Sequence, residues 1–401
     1  MVKKLLEGIR VVEVTVYQTG PLTTQALSNC GAEVIKIDTR INMVGGGGGV
    51  GGAGAAGGAG AGGLQKSTNK LSVTLNFASP KGLDLARQLI AKSDVFVENL
   101  AGGSLIRRGL GYEDLKKIKP DIIMLSTCMQ GQTGPYASHA ASGHKLSALS
   151  GFNHISGWPD RPPAWIAAYT DNIAPCYNIV AILAALDYRR RTGKGMFLDM
   201  SQNEGGVQFM APAILDYTAN KRVAGRVGNQ YPYAAPHNAY RCKGEDKWCA
   251  IAVFTDEEWS SFCNVIGKPA MAKNPKFSTL ISRKEHEEEL DRLVNEWTIN
   301  HTAEEVMNLM QAGGVAAGMV EAAEDQERDP QLKARHFFWE LDRPEGGKFL
   351  SPAGVHFLLS KTPYELKRPP ALGEHNDYVF KELLGLSDSE VADLIKQKVI
   401  D

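Results

Sequence analysis

The sequence lacks an excess of either charge. Forty-four Lys and Arg stand against 45 Asp and Glu, a formal net charge of −1. Such a balance excludes bulk attraction to nucleic acid or to an anionic membrane surface, and leaves room only for a local basic pocket. Paired cysteines are also lacking. The six present (Cys30, Cys128, Cys176, Cys242, Cys249 and Cys263) form no C-x-x-C pair and no Cys/His group at zinc-ligand spacing. No metal site is therefore expected, and the thiols read as scattered residues of a reducing compartment. No run of about 18 apolar residues occurs. The N-terminus has only Leu5-Leu6 before Glu7, which does not make a secretory signal. A cytoplasmic protein with neither a membrane nor a nucleic-acid partner is expected.

Glycine, by contrast, is abundant in one place. Thirteen of the 42 glycines fall between Gly45 and Gly63, where the only other residues are Ala and Val50. Any glycine template matches such a tract, and no helical periodicity follows it, so the context of a dinucleotide-binding turn is missing. The tract reads as a low-complexity loop. The alternative is a mobile cover, since backbone N–H groups without side chains can approach a ligand closely.

Elsewhere the composition is globular, 43% apolar and 22% charged. At about 150 residues per domain, 401 residues imply two or three domains. Residues 1–200 alternate strand and helix patterns: Ile9–Val14, Val34–Ile37, Val95–Val97, Ile122–Ser126 and Met196–Met200 read as strands. Helices are predicted over Pro21–Cys30, from Ser79-Pro80 onward, and over Pro175–Arg190, the last with Ile179, Val180, Ile182, Leu183 and Leu186 buried. Alternation of this kind predicts a parallel, doubly wound sheet. Residues 201–224 read as a linker, 225–325 as a smaller α+β domain, and 326–401 as a linker and a C-terminal return to the large domain.

By position alone, Asp171 reads as an N-cap or first-turn carboxylate ahead of the long helix. His144 reads as a turn or surface histidine. Several short motifs change the weight of both. Gly20-Pro21-Leu22 and Gly31-Ala-Glu-Val-Ile-Lys36 are followed by Val97-Glu-Asn99, Arg108-Gly-Leu-Gly-Tyr112 and Gly131-Gln-Thr-Gly-Pro-Tyr136. Ile182-Leu-Ala-Ala-Leu186, Arg191-Thr-Gly-Lys-Gly195 and Leu372-Gly-Glu-His375 complete the series. In this order the motifs resemble the class III coenzyme A transferases over nearly the whole chain.

The resemblance implies an α/β fold with a Rossmann-like large domain and a smaller α+β domain. It also implies an interlocked dimer, two chains threaded as linked rings, as a homodimer or as a heteromer with a related subunit. Position by position it makes Asp171 the catalytic aspartate and sets Gln18 close to the reacting thioester. Asn99, Arg107, Lys70 and Val16 match positions near the coenzyme, and His144 and Tyr136 match positions lining the substrate site. No permanently bound cofactor is implied, because coenzyme A thioesters are themselves the substrates.

The implied chemistry suits a carboxylate. An ionised Asp, with an ordinary pKa of about 3.9, is a nucleophile at neutral pH without an activating base. It forms a mixed anhydride with the donor acyl group, then an aspartyl-CoA thioester, and each tetrahedral intermediate needs an oxyanion donor, Gln18 or a backbone N–H. Water must be kept from the anhydride. The glycine tract, where this chain departs most from the family pattern, thereby becomes a candidate water-excluding flap. A second departure is Thr68, which precedes Asn69-Lys70 where relatives carry a basic residue.

Two other functions compete. An α-methylacyl-CoA racemase shares the fold and uses a Gly-His-Asp motif. Here Lys145 follows Gly143-His144, and Val253-Phe254-Thr255 stands where racemases carry a further acidic residue. A non-catalytic subunit of a heteromeric transferase is opposed by the presence of Asp171, Gln18 and Asn99. Around Ser150-Gly-Phe152 and Trp158–Pro163 the sequence is similar to transferases of aromatic degradation. Those act on aryl-substituted succinates such as benzylsuccinate, with succinyl-CoA as donor.

Overall fold

The computed structural model describes residues 4–38, 61–139, 142–352, 354 and 356–400. The glycine tract through residue 60, and with it the expected flap, lies outside the described residues.

Six strands form one parallel sheet: β1 (Arg10–Val14), β2 (Glu33–Asp38), β3 (Lys70–Thr74), β4 (Val95–Glu98), β5 (Ile123–Cys128) and β6 (Met196–Ser201). Their order is β3-β2-β1-β4-β5-β6. The inner strands are apolar on both faces, as helices covering both sides of a parallel sheet require. Val12, Ile35, Val73 and Phe96 belong to one buried cluster, and Val11, Val34, Val97 and Leu125 to another. The winding reverses between β1 and β4. At such a switch point the loops beyond the strand ends part and leave a crevice, the usual ligand position in this architecture.

Helices α1 (Thr19–Asn29), α2 (Ala61–Gln65), α3 (Pro80–Ala91), α4 (Tyr112–Ile118) and α5 (Gly143–Leu149) connect or flank these strands. The long helix α6 (Thr170–Thr192) precedes β6. It begins five residues before the predicted start and carries Pro175 inside it. Its buried face is Ile173, Ala174, Asn178, Ile182 and Ala185, whereas Val180 and Leu183, expected inside, are exposed. The segment expected as a linker, 201–224, contains α7 (Gln202–Phe209) and α8 (Ala211–Asn220).

The chain divides into two compact units, one of Met1–Asn153, Trp165–Val223 and Lys333–Asp401, the other of His154–Ala164 and Ala224–Leu332. The second unit thus takes in a short excursion, 154–164, that nothing in its sequence pattern marked. Its three antiparallel strands, β7 (His237–Arg241), β8 (Trp248–Ala252) and β9 (Ala316–Met319), accompany α9 (Asp256–Val265), α10 (Glu287–Thr298) and α11 (Ala303–Ala312). Thr255 and Thr302 cap α9 and α11 in reciprocal capping boxes with Glu258 and Glu305.

Within the first unit the C-terminal segment covers the sheet edge at β3. His375 Nδ1 accepts the Ser72 N–H at 3.2 Å, Asn376 Oδ1 accepts the Thr74 N–H at 2.9 Å, and the Ser72 carbonyl accepts the His375 N–H. The Leu372–His375 motif is thus an edge cover, satisfying groups that an open edge would expose. Among the described residues no helix is long and apolar enough to cross a membrane.

Candidate active site

The turn after β1 is built on a buried polar cluster. Lys70 Nζ donates to Glu13 Oε1 (2.8 Å), to Thr24 Oγ1 (2.7 Å) and to the Pro21 carbonyl (3.0 Å), and its side chain has no exposed surface. All three ammonium donors are spent. Lys70, expected near the coenzyme, is here a post beneath the first turn of α1. Above it, Tyr17 has φ 61°, an uncommon value for a bulky residue, and turns the chain so that Gln18 and Thr19 follow at the strand's carboxyl end.

Asp171 is the second residue of α6 and is half-buried. Pro175 stands four residues on and has no N–H to return to the Asp171 carbonyl, so that carbonyl cannot receive its ordinary helical bond. Asp171 N–H and Asn172 N–H bond back three residues, to the Ala168 and Tyr169 carbonyls. Those N–H groups are occupied and do not form an oxyanion hole. Thr19 Oγ1 lies 3.4 Å from Asp171 Oδ1, and Gln18 Nε2 donates to Asn172 Oδ1 at 3.1 Å. Burial raises the Asp171 carboxyl above its ordinary range, opposed by the Thr19 contact and by the charges of His144 and Lys66.

The two helices that bring these groups together are pinned from below. Asn178 Nδ2, buried on α6, donates to Thr23 Oγ1 on α1 and to Thr127 Oγ1 on β5, both at 3.0 Å. Gly143, at the start of α5, approaches the carboxylate more closely than any side chain would permit.

Asn99 sits just past β4, across the switch point from β1. Its Oδ1 accepts the Val16 N–H and its Nδ2 donates to the Val16 carbonyl, each at 2.8 Å. Asn99 and Val16 are therefore one clamp joining two loops. The Asn99 loop is held in turn by buried Glu98, which accepts the Leu100 N–H, the Ser126 hydroxyl and Gln132 Nε2, while Gln132 Oε1 accepts the Gly103 N–H at 2.9 Å. Arg107 follows in a single helical turn, Ile106–Arg108, with its side chain exposed and no ion-pair partner among the described residues.

His144 lies exposed on α5, its ring 4.7 Å from that of Trp165, and its charge acts on Asp171. Tyr136 is exposed on the loop after β5, beside His139 (4.8 Å between ring centres). Nothing described ties Tyr136 to Asp171. Sequence reasoning missed Thr19, Asn172, Gly143, Gln132 and Lys66. Thr19 and Asn172 adjoin residues already singled out, Gln132 lies inside a quoted motif and Gly143 inside the quoted Gly143-His144 pair; Lys66 carried no signal of its own.

The chain that carries this site matches a known family over most of its length. The sequence model of CoA-transferase family III spans residues 6–376. The chain belongs to CoA-transferase family III. It is 33% identical to a succinyl-CoA–D-citramalate CoA-transferase of Chloroflexus aurantiacus, with 98% of each chain covered. It is 29% identical to the human succinyl-CoA:glutarate CoA-transferase, over 99% of this chain and 90% of that one. A crystal structure of a CaiB/BaiF family protein from Brucella suis superposes with a TM-score of 0.82 at 30% identity, covering 95% of this chain and 99% of that one. The enzyme is a class III CoA-transferase, and coenzyme A thioesters are the substrates of its class.

Proposed function

We propose that the enzyme moves CoA from succinyl-CoA to a dicarboxylic acid, with Asp171 as the nucleophile. The observation that carries this reading is the Asp171 carboxylate itself: half-buried, contacted by Thr19, and free of a salt bridge among the described residues. Partial desolvation strengthens a carboxylate nucleophile, and the absence of a bonded cation leaves its lone pairs available.

In this scheme Asp171 attacks the thioester carbonyl, the C–S bond breaks, and CoA thiolate leaves a mixed anhydride. The thiolate attacks the Asp171 carbonyl carbon and releases succinate, giving an aspartyl-CoA thioester. The acceptor carboxylate displaces the thiolate, which then attacks the acyl carbon of the new anhydride and restores Asp171. No net proton is transferred. Gln18, held toward the first turn of α6 through Asn172, supplies the oxyanion donor. The Asn99–Val16 clamp and the unpaired Arg107 guanidinium face the coenzyme, Arg107 being suited to its phosphates. For the acceptor, the activities of the relatives, citramalate and glutarate CoA-transferases among them, favour short dicarboxylates. The ring pairs His144–Trp165 and Phe152–Tyr169 add aromatic surface consistent with an aryl-substituted succinate such as benzylsuccinate.

The active form in this reading is an interlocked homodimer. Tyr177, Val180 and Leu183 on α6, with Phe209, Ile214 and Leu215 beyond it, leave more apolar surface exposed than an isolated chain tolerates well. A relative that is the beta subunit of a succinyl-CoA–L-malate CoA-transferase makes a heteromer the alternative; light scattering on the purified chain separates monomer from dimer.

The decisive experiment assays succinyl-CoA with glutarate, L-malate and benzylsuccinate, using wild type, Asp171→Ala and Asp171→Asn. Loss of transfer in both variants is expected, together with a hydroxylamine-sensitive CoA adduct on Asp171 in the wild type alone. Full transfer by Asp171→Ala would overturn the mechanism.

A further inference from the structure

Lys66 is a cation bonded to the turn that leads to the Asp171 contact, and the transfer scheme leaves it unused. It lies directly after α2, is half-buried, and its Nζ donates to the Tyr17 carbonyl at 2.6 Å. Tyr17 is the residue at φ 61° that leads into Gln18 and Thr19, the two residues in contact with Asn172 and Asp171. The ammonium is thus anchored to the turn that borders the catalytic carboxylate. Three N–H donors are available on it and the carbonyl takes one. Among the described residues it has no other hydrogen-bond partner and no carboxylate within salt-bridge distance.

An ammonium in this position is electrostatically unsatisfied. Burial lowers its pKa, the neighbouring Lys36 lowers it further, and Asp171 opposes both. Lys36 differs from it in having a carboxylate partner, Asp38, at 2.8 Å. A half-buried cation with unspent donors gains by pairing with an anion brought by a ligand.

We propose that Lys66 binds the second carboxylate of a dicarboxylic substrate while the first reacts at Asp171, and so selects dicarboxylates over monocarboxylates. The proposal rests on the reading of Asp171 as the nucleophile. It adds a residue that tells acids of one chain length apart by their far end. A charge-assisted contact of this kind is worth about 10- to 100-fold in binding.

The test compares wild type, Lys66→Met and Lys66→Arg with matched acids, glutarate against pentanoate and benzylsuccinate against 4-phenylbutyrate. Two quantities are read: kcat/KM for transfer, and the dissociation constant of the free acid by calorimetry. In Lys66→Met the preference for the dicarboxylate is expected to fall about 10- to 100-fold, with most of the preference kept in Lys66→Arg. An unchanged preference, or equal losses for both acids, would overturn the role. The calorimetric arm needs no turnover, so it judges Lys66 even where no transfer is detected, an outcome that counts against the Asp171 mechanism alone.

Discussion

Gly143 and Asp171 approach so closely that a Cβ on Gly143 would stand 2.5 Å from Asp171 Oδ2 and 2.5 Å from the Ala168 Cβ. The carboxylate can rotate away, but Ala168 sits in the turn just ahead of α6 and has no rotamer to change. Gly143→Ala is therefore expected to displace the carboxylate oxygens of the proposed nucleophile. A displacement near 1 Å costs about 100-fold in rate, while overpacking costs about 1–3 kcal/mol of stability. Steady-state kinetics beside urea unfolding checks both. Wild-type kcat with an unchanged midpoint would show that the close approach is inconsequential.

Asn99 is expected to act through Val16 rather than through substrate alone. Asn99→Ala removes both halves of the clamp and leaves a backbone N–H and a carbonyl at the switch point without their partner. Each lost bond is worth about 1 kcal/mol, so a rise in KM for the acyl-CoA of up to about 30-fold is expected. Asn99→Asp keeps the acceptor but turns the donor into a second acceptor facing the Val16 carbonyl, and is expected to be no better. If Asn99→Asp restored wild-type KM, the clamp would not matter.

Lys70 supplies a stability test. Its removal leaves Glu13 buried without its cation, a loss of about 3–5 kcal/mol for a broken buried pair. Lys70→Met should therefore shift the urea midpoint strongly. The double variant Lys70→Met, Glu13→Leu, which removes both charges, should recover part of the loss. A Lys70→Met enzyme of wild-type stability that binds CoA poorly would return Lys70 to the coenzyme site.

How far this architecture was legible depended on range. Strands β1, β2, β4 and β5 could be read because each is a short run buried on both faces, whereas β3, Lys70-Leu-Ser-Val-Thr74, mixes polar residues into its run and carried no apolar signal. The start of α6 was misplaced because Pro usually marks a first turn. Here Ala168 and Tyr169 accept the first N–H groups, and Pro175 falls inside the helix. Val180 and Leu183 were assigned inward because apolarity was equated with burial; buried Asn178, bonded to Thr23 and Thr127, occupies the inner face instead. Asp171 and Gln18 stand out only through family likeness, since the contacts that join their segments, Thr19 to Asp171 and Gln18 to Asn172, span more than 150 residues. Gly143 was visible only as part of the Gly143-His144 pair, which says nothing of its close approach to Asp171, and Lys66 had no local signature, since its bond is to a carbonyl far away in sequence.

Glu98 gives the fourth prediction, a pH dependence with a definite sign. Burial pushes its carboxyl up to about 7 from an ordinary 4.5, against the opposing Ser126 and Leu100 hydrogen bonds, with Asp199 adding to the rise. Between those two values the folded enzyme holds a proton that the unfolded chain has lost. Stability must then fall as pH rises through that window, by at most about 3 kcal/mol from this group. Glu98→Gln cannot ionise, so it should lack this component of the slope. The variant is expected to gain on the wild type as the pH rises from about 5 to about 8. Gln also puts an NH2 where the carboxylate accepted from Leu100, Ser126 or Gln132, so a pH-independent loss of about 1–3 kcal/mol is superposed. Urea unfolding of both proteins at several pH values separates the two effects. Parallel stability curves would mean that Glu98 ionises normally and that the loop carrying Asn99 is held some other way.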